Sequence, residues 1–174
     1  MNYDILGQRD PRWASHLLGN SKSITIGGYG CLSTCFALLN GVDVQAFNDW
    51  AVAHGHYDVE PHGGYAASFD VQDLNGTVHL GKWSRNYLND PVPVYVLAPL
   101  QASLSPQQPI VIMVNHIPGI GQVTSHYILA IDVSRNGKWI CLDPWFGDIC
   151  TLDRYDSNYA RGICEYFQYE VNRG

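Results

Sequence analysis

The chain of 174 residues is long enough to bury one hydrophobic core without disulfides or a structural metal. Its hydrophobic fraction of 46% and charged fraction of 15% are typical of a globular domain and exclude an intrinsically disordered chain. The net charge of −6, with only 10 lysines and arginines and no basic run, argues against nucleic acid and against an anionic membrane surface as partners.

The sequence also lacks the signals of export and membrane insertion. No apolar run approaches the roughly 20 residues that a membrane-spanning helix needs. Residues 1–13 lack the basic and apolar regions of a secretory signal. We therefore expect a cytoplasmic protein, released from the cell only by lysis or a non-classical route, with its five cysteines reduced.

The N-terminal part of the chain predicts helices separated by glycine-rich loops. A glycine turn at residues 27–30 leads into the apolar run 31–39, which contains neither glycine nor proline and is followed by Gly41 as a helix end. Asp43 is a favourable N-cap for a second helix over residues 44–54. We therefore expect two adjacent helices, the first of them buried.

The next segment predicts a loop over residues 54–65 and a short helix near residues 66–74. After about residue 90 the pattern changes to β-branched and apolar runs typical of strands, predicted at residues 94–97, 109–114, 126–133, 139–143 and 163–169. Asn136-Gly137, between two of those runs, is a strong signal for a β-hairpin. Helices followed by an antiparallel sheet predict an α+β fold class.

Three residues in this arrangement could perform nucleophilic chemistry. Cys31 stands at a predicted helix N-terminus, where free backbone N–H groups and the helix dipole stabilise a thiolate. His126 opens an otherwise apolar strand, and Asp143 ends the partner strand just before Pro144. A thiol, a base and a carboxylate that orients the base are the components of a cysteine hydrolase.

The register of the predicted hairpin decides whether this triad can form. A two-residue Asn136-Gly137 turn would place Asp143 level with Ala130, which is four residues from His126. That separation is roughly 13 Å along the strand, too far for a hydrogen bond. The triad therefore requires a longer loop, such as residues 133–136, or a bulge that shifts the register.

The other cysteines are interpreted as packing residues and not as nucleophiles. Cys35 lies one turn further into the first helix, away from the N-terminal dipole, and is interpreted as core. Cys141, Cys150 and Cys164 are interpreted as core or edge thiols without disulfide bonds. Taken singly, Cys31 is also compatible with a small buried hydrophobe, so the catalytic interpretation depends on its partners.

A metal site is the alternative that the predicted loop offers. Its possible ligands are His54, His56 and His62, with Asp58 and Glu60 nearby. The flanking sequence is a helix end and a Gly-Gly pair, and no cysteine stands at ligand spacing. We favour a solvated polar loop, and expect no metal and no cofactor.

Five sequence motifs follow one another along the chain: LGQRDPRWASHLLG, TIGGYGCLSTCFALL, LSPQQPIVIMV, SHYILAID and LDPWFGD. In this order they resemble the C39-like cysteine peptidases, a papain-like group. The resemblance covers most of the chain and is weakest between about residues 56 and 92, where it predicts a variable segment within a single domain over residues 1–174. It implies a papain-like fold, in which the N-terminal helix carrying the cysteine packs on an antiparallel sheet carrying the histidine and the aspartate.

The resemblance also implies an activity and the residues that perform it. Cys31 corresponds to the nucleophile, His126 to the general base, Asp143 to the acid that orients it, and Gln8 to the side chain of the oxyanion hole. The implied reaction is hydrolysis of a peptide bond through an acyl-enzyme, with a peptide, a protein or peptidoglycan as substrate, as in lysin-type peptidases. The residues beside this site that are candidates for the substrate cleft are Tyr29, Gly30 and Trp145.

The alternative function is a catalytically silent protein of the same fold that binds a peptide or protein partner, or acts as an inhibitor. In that case the variable segment, residues 56–92, would form the contact surface. Alkylation of the thiols separates the two functions, because a nucleophilic Cys31 reacts fast at mildly acidic pH and an inert thiol does not.

Overall fold

The computed structural model describes residues 3–57, 74, 77–85, 94–117, 121–155 and 163–172 of the chain. The described part contains an antiparallel sheet of six strands: β1 Val78–Arg85, β2 Ile110–Ile117, β3 Gly121–Val133, β4 Trp139–Asp143, β5 Asp148–Thr151 and β6 Ile163–Val171. Their order across the sheet is β1-β6-β2-β3-β4-β5, so β2 and β3 are central. This sheet, with the helices below, confirms the predicted α+β class.

Four helices are described: α1 Ile26–Tyr29, α2 Cys31–Asn40, α3 Val44–Ala53 and α4 Val94–Ser103. The two predicted helices, α2 and α3, are confirmed together with their boundary signals. Gly41 ends α2 in the left-handed conformation, and the Asp43 side chain accepts a hydrogen bond of 2.7 Å from the N–H of Ala46. No helix within the described ranges is long and apolar enough to cross a membrane.

The core has two layers, one on each face of the sheet. α2 and α3 cover one face, where Val111 and Met113 of β2 belong to the same buried cluster as both helices. α4 covers the other face, where its buried leucines belong to one cluster with Ile110 and Ile112 of β2. Because successive strand residues point to opposite faces, β2 is apolar on both sides. The prediction of a central buried strand at residues 109–114 is confirmed, as are the strands within β3, β4 and β6.

One predicted strand is wrong, because residues 94–97 form the first turn of α4. Their β-branched and aromatic side chains favour a strand locally, and Pro99, inside the helix, is a residue that usually ends one. The helix forms nevertheless because one side of it is buried on the sheet. Three leucines at helical spacing are buried there: Leu97, Leu100 and Leu104.

β1 is a second departure from the prediction, since residues 78–85 lie in the region expected to contain helices and loops. β1 is an edge strand that pairs with β6, with Val78 opposite Val171. A partner so distant along the chain leaves no signal in the local sequence. The short helix predicted near residues 66–74 lies outside the described residues, apart from Leu74.

Candidate active site

The Cys31 thiol belongs to the first residue of α2, as predicted. The glycine turn expected at residues 27–30 is a single helical turn, α1, which the Thr25 side chain caps. Gly30 joins α1 to α2, and a Cβ there would lie only 2.6 Å from the carbonyl oxygen of Ile26. The backbone itself therefore requires glycine at this junction. The junction sets Cys31 at a helix end, where backbone N–H groups have no intrahelical acceptor.

The predicted β3–β4 hairpin forms, and its loop is one residue longer than a tight two-residue turn. Val133 pairs with Trp139, and the Ser134 N–H donates a hydrogen bond of 2.8 Å to the Lys138 carbonyl oxygen. Gly137 has a φ of 78°, which suits the left-handed third residue of a three-residue hairpin loop. The extra loop residue moves β4 by one position along β3.

A bulge in β3 adds a second shift of one residue. The register changes next to Ala130, and Leu129 lies opposite Leu142. Asp143 is therefore level with Ile128, two residues from His126, and not with Ala130, four residues away. Because the two shifts add up to an even number, the two side chains stay on the same side of the sheet. The condition that the sequence set for the triad is met by both a longer loop and a bulge.

His126 and Asp143 are hydrogen-bonded inside the protein. The distance from His126 Nε2 to Asp143 Oδ1 is 3.2 Å, and each residue is 1% exposed. Burial alone would lower the pKa of His126, but hydrogen bonds to Asp143 and Cys31 outweigh it and raise that pKa to about 9. Since Asp143 occupies Nε2, Nδ1 is the ring nitrogen left for the Cys31 thiol. The imidazole thus connects the carboxylate to the thiol.

Four donors surround the Asp143 carboxylate. His126 and the backbone N–H of Trp145 share Oδ1, the latter at 3.0 Å. Arg154 Nη1 donates to Oδ2 at 2.9 Å, and the Tyr155 hydroxyl donates to the same oxygen. Burial would raise the pKa of Asp143, but these hydrogen bonds, led by the one from His126, hold it below its usual value. Asp143 is therefore ionised at neutral pH and accepts from the imidazole.

Arg154 and Tyr155 belong to the site although the sequence did not predict them. Arg154 ends the 3-10 turn Leu152–Arg154 that follows β5, and Tyr155 comes next. Two further hydrogen bonds of 2.7 and 2.8 Å to Asp148 fix the Arg154 guanidinium. No motif marks these residues, because their contact with Asp143 depends on how the chain folds back after β5.

A cluster of possible metal ligands includes Asp143 of the triad, but the Arg154 side chain supplies a positive charge there. Ligand-type atoms of Asp143, Asp148 and Cys150 lie within 4.8 Å of one another. The Arg154 guanidinium donates hydrogen bonds to both carboxylates. The guanidinium offsets one of the two negative charges, and His126, whose raised pKa favours its protonated form, offsets the other. This cluster is therefore interpreted as an ion-pair network.

The histidines considered as metal ligands make a different contact. His54 and His56 both stack on the Trp50 ring, with centroid distances of 4.7 and 5.0 Å. His54 Nδ1 also lies 2.8 Å from the Trp50 carbonyl oxygen. The other possible ligands lie outside the described residues, namely Asp58, Glu60 and His62.

Gln8 is buried between the segment that follows Asp143 and the turn that precedes Cys31. Its backbone N–H donates to the Pro144 carbonyl oxygen at 2.8 Å, next to Asp143 in the chain. Its side-chain Nε2 donates to the Gly27 carbonyl oxygen at 3.1 Å, in the turn before Cys31. One of the two amide N–H groups is therefore engaged, while Oε1 has no partner among the described residues. The chain between Gln8 and α1 folds away in a series of turns.

The two aromatic residues predicted to adjoin the site occupy different positions. Trp145 lies edge-on to the His126 ring, with a centroid distance of 6.5 Å. Tyr29 precedes the α1–α2 junction and is 57% exposed. Trp145 therefore flanks the imidazole, and Tyr29 offers an exposed aromatic surface on the Cys31 side.

The remaining described cysteines are buried free thiols, as their interpretation as core residues requires: Cys35, Cys141 and Cys150. Cys141 and Cys150 are directly opposite each other on β4 and β5. Burial raises the pKa of each of the three thiols. The side chain of Cys164 lies outside the described residues.

No protein-family model and no curated protein sequence matches the chain. The arrangement of its own side chains is therefore the basis for a function. A thiol at a helix end, an imidazole held by a carboxylate, and nearby backbone and amide N–H groups can together perform nucleophilic acyl transfer.

Proposed function

We propose that the protein is a cysteine hydrolase of the papain-like fold that cleaves an amide bond through an acyl-enzyme. The observation that carries the proposal is that His126 is hydrogen-bonded to the Asp143 carboxylate and lies close enough to the Cys31 thiol for that thiol to help raise the pKa of the imidazole. These residues lie far apart in the sequence and meet only through the hairpin register and the helix junction. The order thiol, imidazole, carboxylate is the one that activated nucleophiles use.

In this mechanism His126 and Cys31 act as a pair. With a pKa of about 9, His126 can hold the proton that Cys31 gives up when the sulfur attacks. The thiolate attacks the amide carbon, and the imidazolium then gives its proton to the leaving amine. Asp143 holds Nε2 throughout and fixes the ring orientation. Water, activated by the imidazole, then releases the acid from the acyl-enzyme.

The tetrahedral intermediate carries a negative oxygen that two N–H groups can stabilise. One is the backbone N–H of Cys31 at the free end of α2. The other is the second N–H of Gln8 Nε2, since only one is used by the Gly27 carbonyl. Removing one donor of such a pair costs about 10²- to 10³-fold in rate.

The substrate class follows from the resemblance to C39-like peptidases and not from the geometry of the triad. A peptide or protein is the first substrate to test, and a peptidoglycan cross-link is the second, because lysin-type peptidases use a site of this kind. Neither substrate requires a cofactor, since the chain supplies the nucleophile, the base and the oxyanion donors.

The first experiment measures whether Cys31 is a nucleophile. The folded protein and a urea-unfolded sample are treated with iodoacetamide at pH 6, and the modified cysteines are mapped by mass spectrometry. We expect Cys31 to react at least about tenfold faster in the folded protein, and Cys31→Ala to remove that fast phase. Equal rates in the two samples would rule out the hydrolase and favour a catalytically silent binding protein.

The second experiment measures bond cleavage. A mixture of peptides and purified peptidoglycan are incubated with the wild-type protein and with Cys31→Ala. We expect new amino termini with the wild-type protein only. Cleavage that persists in Cys31→Ala would assign the activity to another group or to a contaminant.

A further inference from the structure

The Arg9 guanidinium lies beside the proposed site, on the Trp145 ring that flanks His126. The Arg9 guanidinium carbon is 4.8 Å from the centroid of the Trp145 ring, and the same ring meets the His126 ring edge-on. Arg9 directly follows Gln8, the proposed oxyanion residue. The Arg9 side chain is exposed to solvent, so a ligand bound beside Trp145 can reach it.

Backbone contacts hold Arg9 in this position. The Gln8 N–H donates to the Pro144 carbonyl oxygen, which lies between Asp143 and Trp145 in the chain. Gly7 packs directly against Gly147 on the same turn. A guanidinium that lies on an indole ring is partly fixed, and the edge of its plane keeps its N–H groups free for a planar acceptor.

Arg9 has no ion-pair partner among the residues that the structure describes, and its neighbour explains why. The adjacent Asp10 carboxylate is taken by Arg12, which donates to both of its oxygens at 3.0 and 2.8 Å. The two acidic groups nearest to Trp145 along the chain, Asp143 and Asp148, are held by Arg154. The Arg9 charge is therefore available to an anionic ligand beside Trp145.

We propose that Arg9, supported on Trp145, is a specificity residue that binds a carboxylate of the substrate close to the scissile amide bond. This inference rests on the proposed hydrolase function and names its substrate class: peptides with an acidic group next to the bond that is cleaved. The guanidinium forms a bidentate, charge-assisted pair with a carboxylate, an acceptor whose planar geometry matches its own. The carboxylate is either an acidic side chain or the free C-terminus of a short peptide.

The matched control is present in the same chain. The Arg12 guanidinium lies 4.3 Å from the centroid of the Trp13 ring, which is the same kind of contact. Arg12 is neutralised by Asp10, and Trp13 is buried. The double variant Asp10→Asn/Arg12→Gln removes this ion pair as a whole, so it frees no carboxylate next to Arg9 and keeps the guanidinium beside Trp145.

The test compares two alkylating reagents of nearly equal size on Cys31. Iodoacetate carries a carboxylate and iodoacetamide does not, and both react by forming a sulfur–carbon bond as iodide leaves. The ratio of the two rate constants is measured for the wild-type protein, Arg9→Gln and Asp10→Asn/Arg12→Gln at low ionic strength. We expect Arg9→Gln to lower the iodoacetate-to-iodoacetamide ratio about threefold or more, and added salt to reduce the difference. Asp10→Asn/Arg12→Gln should leave the ratio near the wild-type value.

Each outcome has a separate meaning. A ratio that is the same in Arg9→Gln and Asp10→Asn/Arg12→Gln, while Cys31 still reacts fast with iodoacetamide, overturns the role of Arg9 and leaves the hydrolase intact. If neither reagent modifies Cys31 faster than the unfolded chain, the hydrolase itself fails and this inference fails with it.

Peptide substrates then identify the source of the carboxylate. Pairs that differ only by Glu or Gln beside the cleaved bond test the side chain, and pairs with a free or amidated C-terminus test the terminal carboxylate. We expect one of the two acidic members to be preferred about tenfold or more in kcat/KM. Arg9→Gln should abolish the preference and Arg9→Lys should keep part of it. Equal cleavage of both pairs by the wild-type protein contradicts the proposal.

Discussion

Cys31 and Cys35 lie one turn apart on α2, and their surroundings differ. Cys31 begins the helix, and its thiol lies close enough to His126 to help raise the pKa of the imidazole. Cys35 is fully buried, and burial raises the pKa of its thiol well above the usual value, with the nearby Cys31 and Asp143 adding to the effect. The same residue type is thus placed for nucleophilic chemistry at the helix end and for packing in the helix interior.

The comparison identifies the features that differ around the two thiols. A helix end provides unpaired N–H groups, and a protonated imidazole provides a positive charge beside the sulfur. The interior of the same helix provides neither, and its low polarity disfavours a thiolate. Position relative to the helix end and to His126, rather than the Cys-x-x-x-Cys spacing, therefore distinguishes the two residues.

The largest expected effect is the difference between the alanine variants of the two cysteines. Cys31→Ala should lower the hydrolysis rate by about 10⁴-fold or more, because the proposed acyl-enzyme forms on the Cys31 sulfur. Cys35→Ala should change that rate less than about twofold. Both are measured as kcat/KM on the best peptide found. A loss of similar size in the two variants would show that Cys35 also takes part in the reaction.

The next largest effect comes from removing the imidazole that distinguishes Cys31. His126→Gln should lower kcat by about 10³-fold, since general acid–base catalysis contributes this much in typical enzymes. Iodoacetamide labelling of Cys31 at pH 6 should slow towards the rate of the unfolded chain. Fast labelling in His126→Gln would mean that the helix end alone activates the thiol.

The sequence predicts the helix that carries both cysteines because the signals for it are local. Asp43 caps α3 through a bond to a residue three positions away, and Gly41 ends α2. The strands β2 to β4 and β6 were also predicted, since apolar runs identify buried strands. α4 was missed, because burial on the sheet outweighs the preferences of its first residues.

The details of the site are harder to predict than its three main residues. The hydrogen bond between His126 and Asp143 depends on a three-residue loop and on a bulge next to Ala130, and neither follows from the Asn136-Gly137 signal alone. Arg154 and Tyr155 reach Asp143 only because the chain turns back after β5. Contacts set by three-dimensional geometry have no fixed spacing in the sequence.

The third prediction concerns the pH dependence of stability that His126 contributes. Its pKa is about 9 in the folded protein and near 6.5 when unfolded. Because the folded state binds the proton more tightly, the contribution is complete below about pH 6.5 and is lost as the pH rises to about 9. It is on the order of 3 kcal/mol.

Urea unfolding at pH 6 to 10 measures this contribution. The free energy of unfolding of the wild-type protein should fall as the pH rises across that window, and that of His126→Gln should fall less steeply. Subtracting the two curves removes the groups that titrate in both proteins. Parallel curves would mean that His126 has an ordinary pKa and is not paired with Cys31 and Asp143.

A smaller effect is expected from Tyr155, whose hydroxyl donates a hydrogen bond to Oδ2 of Asp143. Tyr155→Phe should cost about 1.5 kcal/mol of stability at neutral pH, because a hydrogen bond to a charged group is lost. The folded pKa of Asp143 is lowered, so its contribution is present above about pH 4 and is lost as the pH falls. The difference between the variant and the wild type should therefore shrink at acidic pH. Tyr166→Phe, on a buried tyrosine far from Asp143 in the sequence, is the control and should show no such pH dependence.

The smallest expected effect returns to Cys35. Cys35→Ala removes a fully buried sulfur and should lower the free energy of unfolding by about 1 kcal/mol through the cavity it leaves. Iodoacetamide labelling of Cys31 should keep its wild-type rate, because the helix end and His126 are unchanged. A slower labelling rate in Cys35→Ala would mean that packing one turn inside the helix sets the position of the Cys31 sulfur, and that the two cysteines act as one unit. An unchanged rate together with the lost stability would assign nucleophilic chemistry to the helix end and packing to its interior.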